Sequence, residues 1–123
     1  MVYYWWIRGG RMKVSTRQRE GITVIDLEGK IGIGRGDIAL RDAFEEAVSR
    51  GARKVLFNFA RITSIDSSGL AELVAAMQRG DKMGGKTSLT KPPAKVEAVL
   101  HMTLIDTLFD IYETEDEAIM AMQ

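Results

Sequence analysis

Apolar positions in this chain follow two rhythms. Residues 22–27 (ITVIDL) are rich in β-branched side chains, and residues 54–59 (KVLFNF) form a short, nearly continuous apolar run. Both read as strands, the second as a buried central one. Between them Leu40, Phe44, Ala47 and Val48 fall at the i, i+4, i+7, i+8 spacing of an amphipathic helix. Asp37 is placed to cap that helix and Gly51 to end it. Leu70, Leu73, Val74 and Met77 make a second helical stripe, ending near Gly80 or at Gly84-Gly85. Residues 86–90 read as a strand. Pro92-Pro93 opens a third helix, proline being tolerated in a first turn, with Val96, Val99 and Leu100 facing inward. Residues 109–112 read as a last short strand. Thr114 and Glu117 form a capping box for a final helix through Ala118, Ile119 and Met122. Upstream, residues 13–17 are a weak strand. A tight turn at Arg19-Glu20-Gly21 pairs it with residues 22–27 as an antiparallel hairpin.

The predicted order is β-β-α-β-α-β-α-β-α. Strands alternating with helices after the hairpin imply right-handed crossovers and mostly parallel pairing. The expected fold class is α/β: a small mixed β-sheet, with an N-terminal antiparallel hairpin and then β-α repeats, and about four helices packed on it. There are no internal repeats and no low-complexity linker.

Length and composition narrow the function classes. The 123 residues suit one domain with a real core, and the 46% hydrophobic and 28% charged content is that of a globular chain. Lys plus Arg equals Asp plus Glu at 17 each, so the chain lacks the basic footprint of a non-specific nucleic-acid binder. With no cysteine and one histidine, neither a disulfide framework nor a thiolate or His-rich metal site is expected. No metal or cofactor is implied. Absence of cysteine fits a cytoplasmic protein.

The start of the chain, MVYYWWIRGGR, stands apart. Its apolar run is far shorter than the ~20 residues of a membrane span, and it lacks the basic start and cleavage site of a signal peptide. Two readings stay open. The aromatics pack on the domain, a partner or a membrane surface; or Met12 is the true start and residues 1–11 are a translated leader. The leader reading is preferred, because Arg8-Gly9-Gly10-Arg11 can be encoded by purine-rich codons like those of a ribosome-binding site. Residues 12–123 are then the single domain. A monomer or weak dimer is expected, with the aromatic segment as the source of any self-association.

Two stretches carry candidate chemistry. Residues 80–87, GDKMGGKT, match the letters of a phosphate-binding P-loop. A working P-loop runs from a strand into a helix whose N-terminus faces the anion. Here a helix is predicted to enter and a strand to leave, so the stretch reads as a glycine C-cap and turn. Residues 61–73, RITSIDSSGLAEL, have the better context. A strand predicted to end near Phe59 delivers the chain to the C-terminal edge of the sheet, where open α/β folds place their sites. A helix begins at Ser67 or Ser68, with Asp66 as its cap and Ser67 exposed on its first turn. A phosphate on Ser67 would be tolerated by the helix N-terminus. On pattern alone D-S-S-G is a capping cluster or a modification site. As a hydrolase nucleophile Ser67 lacks the G-x-S-x-G context, and His101, the only candidate base, belongs late in the third helix.

The stretch ITSIDSSGLAELVAAM, with LEGKI ahead of it and VLHMTLIDTLFDIYETEDEAI behind, resembles a STAS domain, most closely the bacterial anti-sigma factor antagonists. The resemblance covers residues 13–122. It implies a small mixed sheet with helices on one side, no enzymatic activity, and partner switching. In that family the unphosphorylated antagonist binds an anti-sigma factor that is itself a serine kinase with a histidine-kinase-like ATPase fold. The kinase phosphorylates the serine after the aspartate, which is Ser67 here, and the modified antagonist lets go. A PP2C-type phosphatase resets it. The resemblance therefore implies Ser67 as phosphorylation site and Asp66, Ser67, Ser68, Gly69, Leu70, Ile33 and Arg35 as the partner-binding set. The alternative is a STAS subunit of another regulatory or transport complex without a sigma factor output.

Two departures from the family pattern stand out. The segment Gly29-Lys30-Ile31-Gly32-Ile33-Gly34-Arg35-Gly36 is glycine-rich and basic where relatives carry an acidic or polar residue, and it is expected beside the phosphorylation loop. Leu104, in Thr103-Leu104-Ile105, stands where many relatives have glycine, and is expected to alter the turn before the last strand.

Overall fold

A computed structural model describes residues 12–123. The elements are β1 (Lys13–Arg19), β2 (Ile22–Ile31), α1 (Gly36–Ser49), β3 (Lys54–Ile65), α2 (Ser67–Lys82), β4 (Lys86–Thr90), α3 (Ala94–Met102), a one-turn 3₁₀ helix (Ile105–Thr107), β5 (Ile111–Tyr112) and α4 (Glu115–Met122). Apart from the 3₁₀ turn, this is the order the sequence predicts. The leader expected over residues 1–11 lies outside the described residues.

The strands lie side by side in chain order. β1 is antiparallel to β2, and every later pair is parallel. The hairpin turn is two residues, Glu20 (φ 52°) and Gly21 (φ 82°), both left-handed. Such a turn matches the twist of the strands it joins. Arg19 belongs to β1 and not to the turn.

Two strands are longer than expected, and both extensions matter for the site. β2 continues through the glycine-rich segment to Ile31, and β3 continues past Phe59 to Ile65. Their pairing steps from Asp26↔Asn58 to Glu28↔Arg61, then from Gly29↔Ile62 to Lys30↔Ser64. β3 thus inserts one extra residue at each of two bulges. Asn58 Oδ1 accepts from the Ala60 N–H at 3.1 Å across the first bulge. The bulges put Phe59, Ile62 and Ile65 all inside, a spacing of three instead of two.

Alternation sorts the core onto two faces. Ile25, Leu27, Val55, Phe57, Phe59 and Leu89 join one cluster with the apolar stripes of α1, α2 and α3. Phe44 of α1 stacks on Phe57 with ring centroids 6.1 Å apart. Ile22, Val24 and Leu56 point the other way and are covered by Ala118, Ile119 and Met122 of α4. The expectation of helices on one side is corrected here: α4 packs on the opposite face. Charge fixes it there. Glu115, in its first turn, takes both Arg17 and Arg19 of β1, the latter at 2.7 Å. Arg17 Nε also pairs with Asp26 Oδ2 at 2.7 Å.

Helix ends follow local chemistry, with two corrections. α1 begins at Gly36, and Asp37 sits inside its first turn instead of capping it; Asp37 Oδ1 accepts from the next N–H, of Ile38. Pro93 is the N-cap of α3 and not its first turn. Thr114 Oγ1 accepts from the Glu117 N–H at 3.1 Å, one of the two bonds of the expected box. The last strand spans only Ile111–Tyr112, because Phe109 turns into the core.

Candidate functional site

The parallel strands β2 and β3 end together, Ile31 opposite Ile65. Two segments leave this edge, Gly32–Arg35 toward α1 and Asp66 into α2. Asp66 joins them. Its backbone N–H donates to the Ile31 carbonyl at 3.1 Å. Its Oδ1 accepts from the N–H groups of Ser68 and Gly69 at 3.0 and 3.1 Å and from Ser68 Oγ at 2.7 Å. Its Oδ2 accepts from the Ile33 N–H at 2.9 Å. One carboxylate therefore caps α2 and holds the loop beside it. The Ser68 hydroxyl, then the Gly69 N–H, with the Ile33 and Ser68 N–H groups adding, keep this carboxyl below its ordinary range; partial burial works against them.

Close approach needs glycine at two points. A Cβ on Gly69 would lie 2.6 Å from Ile31 Cγ2 and 2.7 Å from the Ile31 carbonyl oxygen. A Cβ on Gly36 would lie 2.3 Å from the Lys30 carbonyl oxygen. Only glycine lets both helices start this near the strand ends.

The seven sequence-predicted residues come to one edge but not in one role. Ser67 is the first residue of α2 and is exposed. Ile33 is 79% exposed, an unusual position for an isoleucine. Arg35 is exposed beside it. Asp66 and Ser68 are half-buried in the cap. Gly69 and Leu70 are buried, so they shape the junction and present no side chain at the surface. A depression of about 370 Å³ lies next to Asp66, lined by Met12, Lys30, Gly32, Ile33, Arg35 and Gly36. Met12 and Lys30 lie outside the expected partner-binding set, although Lys30 belongs to the basic, glycine-rich segment expected beside this loop. Lys30 follows the LEG motif and lies on the extended β2.

The P-loop letters have the geometry of a turn. α2 ends at Lys82, Gly84 is left-handed at φ 74°, and Lys86 begins β4. A Cβ on Gly85 would lie 2.0 Å from the Arg53 carbonyl oxygen, and one on Gly80 2.5 Å from Thr87 Oγ1. These glycines serve packing between α2, β3 and β4. His101 is exposed near the end of α3, its Nδ1 2.8 Å from Asp106 Oδ2, at a distance in sequence and topology from Ser67. Among the described residues no helix is long and apolar enough to cross a membrane.

Fold and edge together define a small α/β domain built on a capped strand-to-helix junction. The chain belongs to the STAS domain family, whose model matches residues 13–118. A Thermotoga neapolitana protein provisionally named an anti-sigma factor antagonist is 28% identical over 104 residues, covering 85% of this chain and 92% of that one. A crystal structure of a Thermotoga maritima protein with the same provisional description superposes with a TM-score of 0.81 at 25% identity, covering 87% and 92% of the two chains. The anti-sigma factor antagonist SpoIIAA in its unphosphorylated form gives a TM-score of 0.71 at 26% identity, covering 89% and 93%. In sequence and structure the chain is thus similar to proteins named as anti-sigma factor antagonists.

Proposed function

We propose that this chain switches partners through phosphorylation of Ser67. The observation that carries the reading is an exposed serine on the first turn of α2, directly after a carboxylate that also anchors an exposed isoleucine. Unmodified, Ser67 and Ile33 offer a close-packed, nearly neutral contact to an anti-sigma factor of the serine-kinase type. Lys30 and Arg35 add a cationic rim that suits acidic groups on that partner. Phosphate on Ser67 adds a charge of about −1.5 to −2 beside the Asp66 carboxylate. The helix N-terminus tolerates that charge, so the domain stays folded while the docked surface is repelled. A PP2C-type phosphatase would restore the neutral surface. The output is release of a sigma factor, and the domain itself performs no chemistry.

The test is phosphosite mapping by mass spectrometry on the protein from its own host, joined to capture with Ser67→Ala and Ser67→Glu as baits. The expected result is phosphate on Ser67, and a kinase of the histidine-kinase-like ATPase fold held by the alanine bait and not by the glutamate bait. Equal retention by both baits would overturn the switch. No phosphate on Ser67 through growth and stress would favour a constitutive STAS subunit of another regulatory or transport complex.

A further inference from the structure

A second groove lies away from the Ser67 edge, between α3 and β5. Its volume is about 420 Å³, and its apolar lining is Phe109 and Ile111, which pack on the α3 side of the sheet, and Tyr112, which packs on the α4 side. Glu97, Asp106 and Glu113 line it against a single cation, Lys91. Asp106 Oδ2 pairs with His101 Nδ1, while its Oδ1 is buried without a hydrogen-bond partner among the described residues.

β5 is the last strand in the sheet, so its outer edge has no strand partner among the described residues. The Leu89 N–H donates to the Asp110 carbonyl at 3.2 Å and the Lys91 N–H to the Tyr112 carbonyl at 3.0 Å. Residues 110 and 112 thus turn their backbone groups toward β4. By strand alternation, the N–H and C=O of Ile111 point to the open edge. Apolar side chains, an open strand edge and an acidic rim meet at this groove.

We infer that this groove receives an extended, basic segment of a partner protein, added as a strand against β5. Main-chain bonds to Ile111 supply the register, apolar side chains of one parity rest on Tyr112 at one face, and lysines or arginines of the other parity face Glu97 and Glu113. The partner is chosen by charge, so an acidic strand is refused. This site shares no residue with the junction at Asp66 and does not depend on the Ser67 switch.

The experiment is an amide ¹H–¹⁵N titration of the full chain with a short amidated peptide in which lysine or arginine alternates with valine. A second peptide with glutamate at every basic position is the control. The expected result is saturable shifts centred on residues 109–113 and Glu97, with the Ile111 amide protected from exchange. Glu97→Lys combined with Glu113→Lys, both at exposed positions, should weaken binding about tenfold. Ile111→Pro, which removes an outward N–H, should abolish it. Three outcomes would overturn the proposal: equal binding of the acidic peptide, no shifts at these residues, or self-association that the double charge reversal dissolves, which would make the groove a contact between two copies of this chain.

Discussion

Asp66 and Ile33 are 33 residues apart in sequence and joined by one hydrogen bond, from the Ile33 N–H to Asp66 Oδ2 at 2.9 Å. The bond makes the α2 cap and the loop after β2 a single unit. An aspartate at an N-cap needs only one oxygen for the helix; here the second holds the neighbouring loop in place. The exposed Ile33 therefore keeps a fixed relation to Ser67 without side-chain packing of its own. Coupling of this kind lets a modification on one segment be read on the other.

Asp66→Ala should release both segments. The expected result is faster amide exchange at Ile33, Ser68 and Gly69 together, and a lower melting temperature. Asp66→Asn keeps one acceptor oxygen and should release Ile33 or the helix start, but not both fully. Hydrogen exchange read at single residues checks this. Unchanged exchange at Ile33 in the alanine variant would show that the carboxylate caps α2 and does nothing for the loop.

Gly69→Ala tests how near α2 must start to β2. The added methyl meets the Ile31 carbonyl oxygen at 2.7 Å, and a backbone atom cannot swing aside. The helix start must back away, at a cost of about 1–3 kcal/mol. Urea unfolding at neutral pH should show that loss. Binding by the anti-sigma partner should fall as well, because Ser67 moves with the helix. A variant as stable as the parent would mean that the junction relaxes freely, and the argument for glycine there would fail.

Leu104, at the turn before the last strand, is held in the left-handed region at φ 61°. The side chain is left 65% exposed. A left-handed leucine costs about 1–2 kcal/mol, of which glycine would return part to the unfolded chain. Leu104→Gly should raise stability by about 0.5–1 kcal/mol, read as an upward shift of the urea midpoint with the slope unchanged. A destabilised variant would mean that Leu104 makes a contact worth more than the strain.

Much of this was legible along the chain because the elements are short and well punctuated. The element order, the cap at Asp66 and the turn behind the P-loop letters all follow from local residue chemistry. What could not be read were features that local periodicity hides. Phe59, Ile62 and Ile65 recur every third residue, which resembles a loop or helix; only the two bulges make that spacing fit a strand. The run of glycines after Glu28 lowers strand propensity and reads equally as a loop or a short strand; pairing with β3 makes it a continuation of β2 to Ile31. Likewise Asp37 has the residue type of a cap, but tertiary closure of Gly36 onto Lys30 starts the helix two residues earlier, with Arg35 at the N-cap. The face chosen by α4 depends on arginines a hundred residues upstream and is invisible to any local pattern.

That ion-pair cluster gives a pH prediction. Hydrogen bonds from Arg17, then Arg19, pull the Glu115 carboxyl down from 4.5 to about 2, against partial burial. The folded state thus binds this proton less readily than the unfolded chain. The stabilisation is fully present above about pH 4.5 and is lost as pH falls toward 2. A shift of this size is worth about 3 kcal/mol unscreened, but both arginines are about a third exposed, so about 1–2 kcal/mol is expected. Glu115→Gln should therefore lose about 1–2 kcal/mol at pH 7 and little at pH 2.5. Urea unfolding of both proteins across this range checks it. The two stability curves should converge as pH drops through 4; curves that stay parallel would mean that α4 is held to the sheet by Ile119 and Met122 packing, with no help from the arginines of β1.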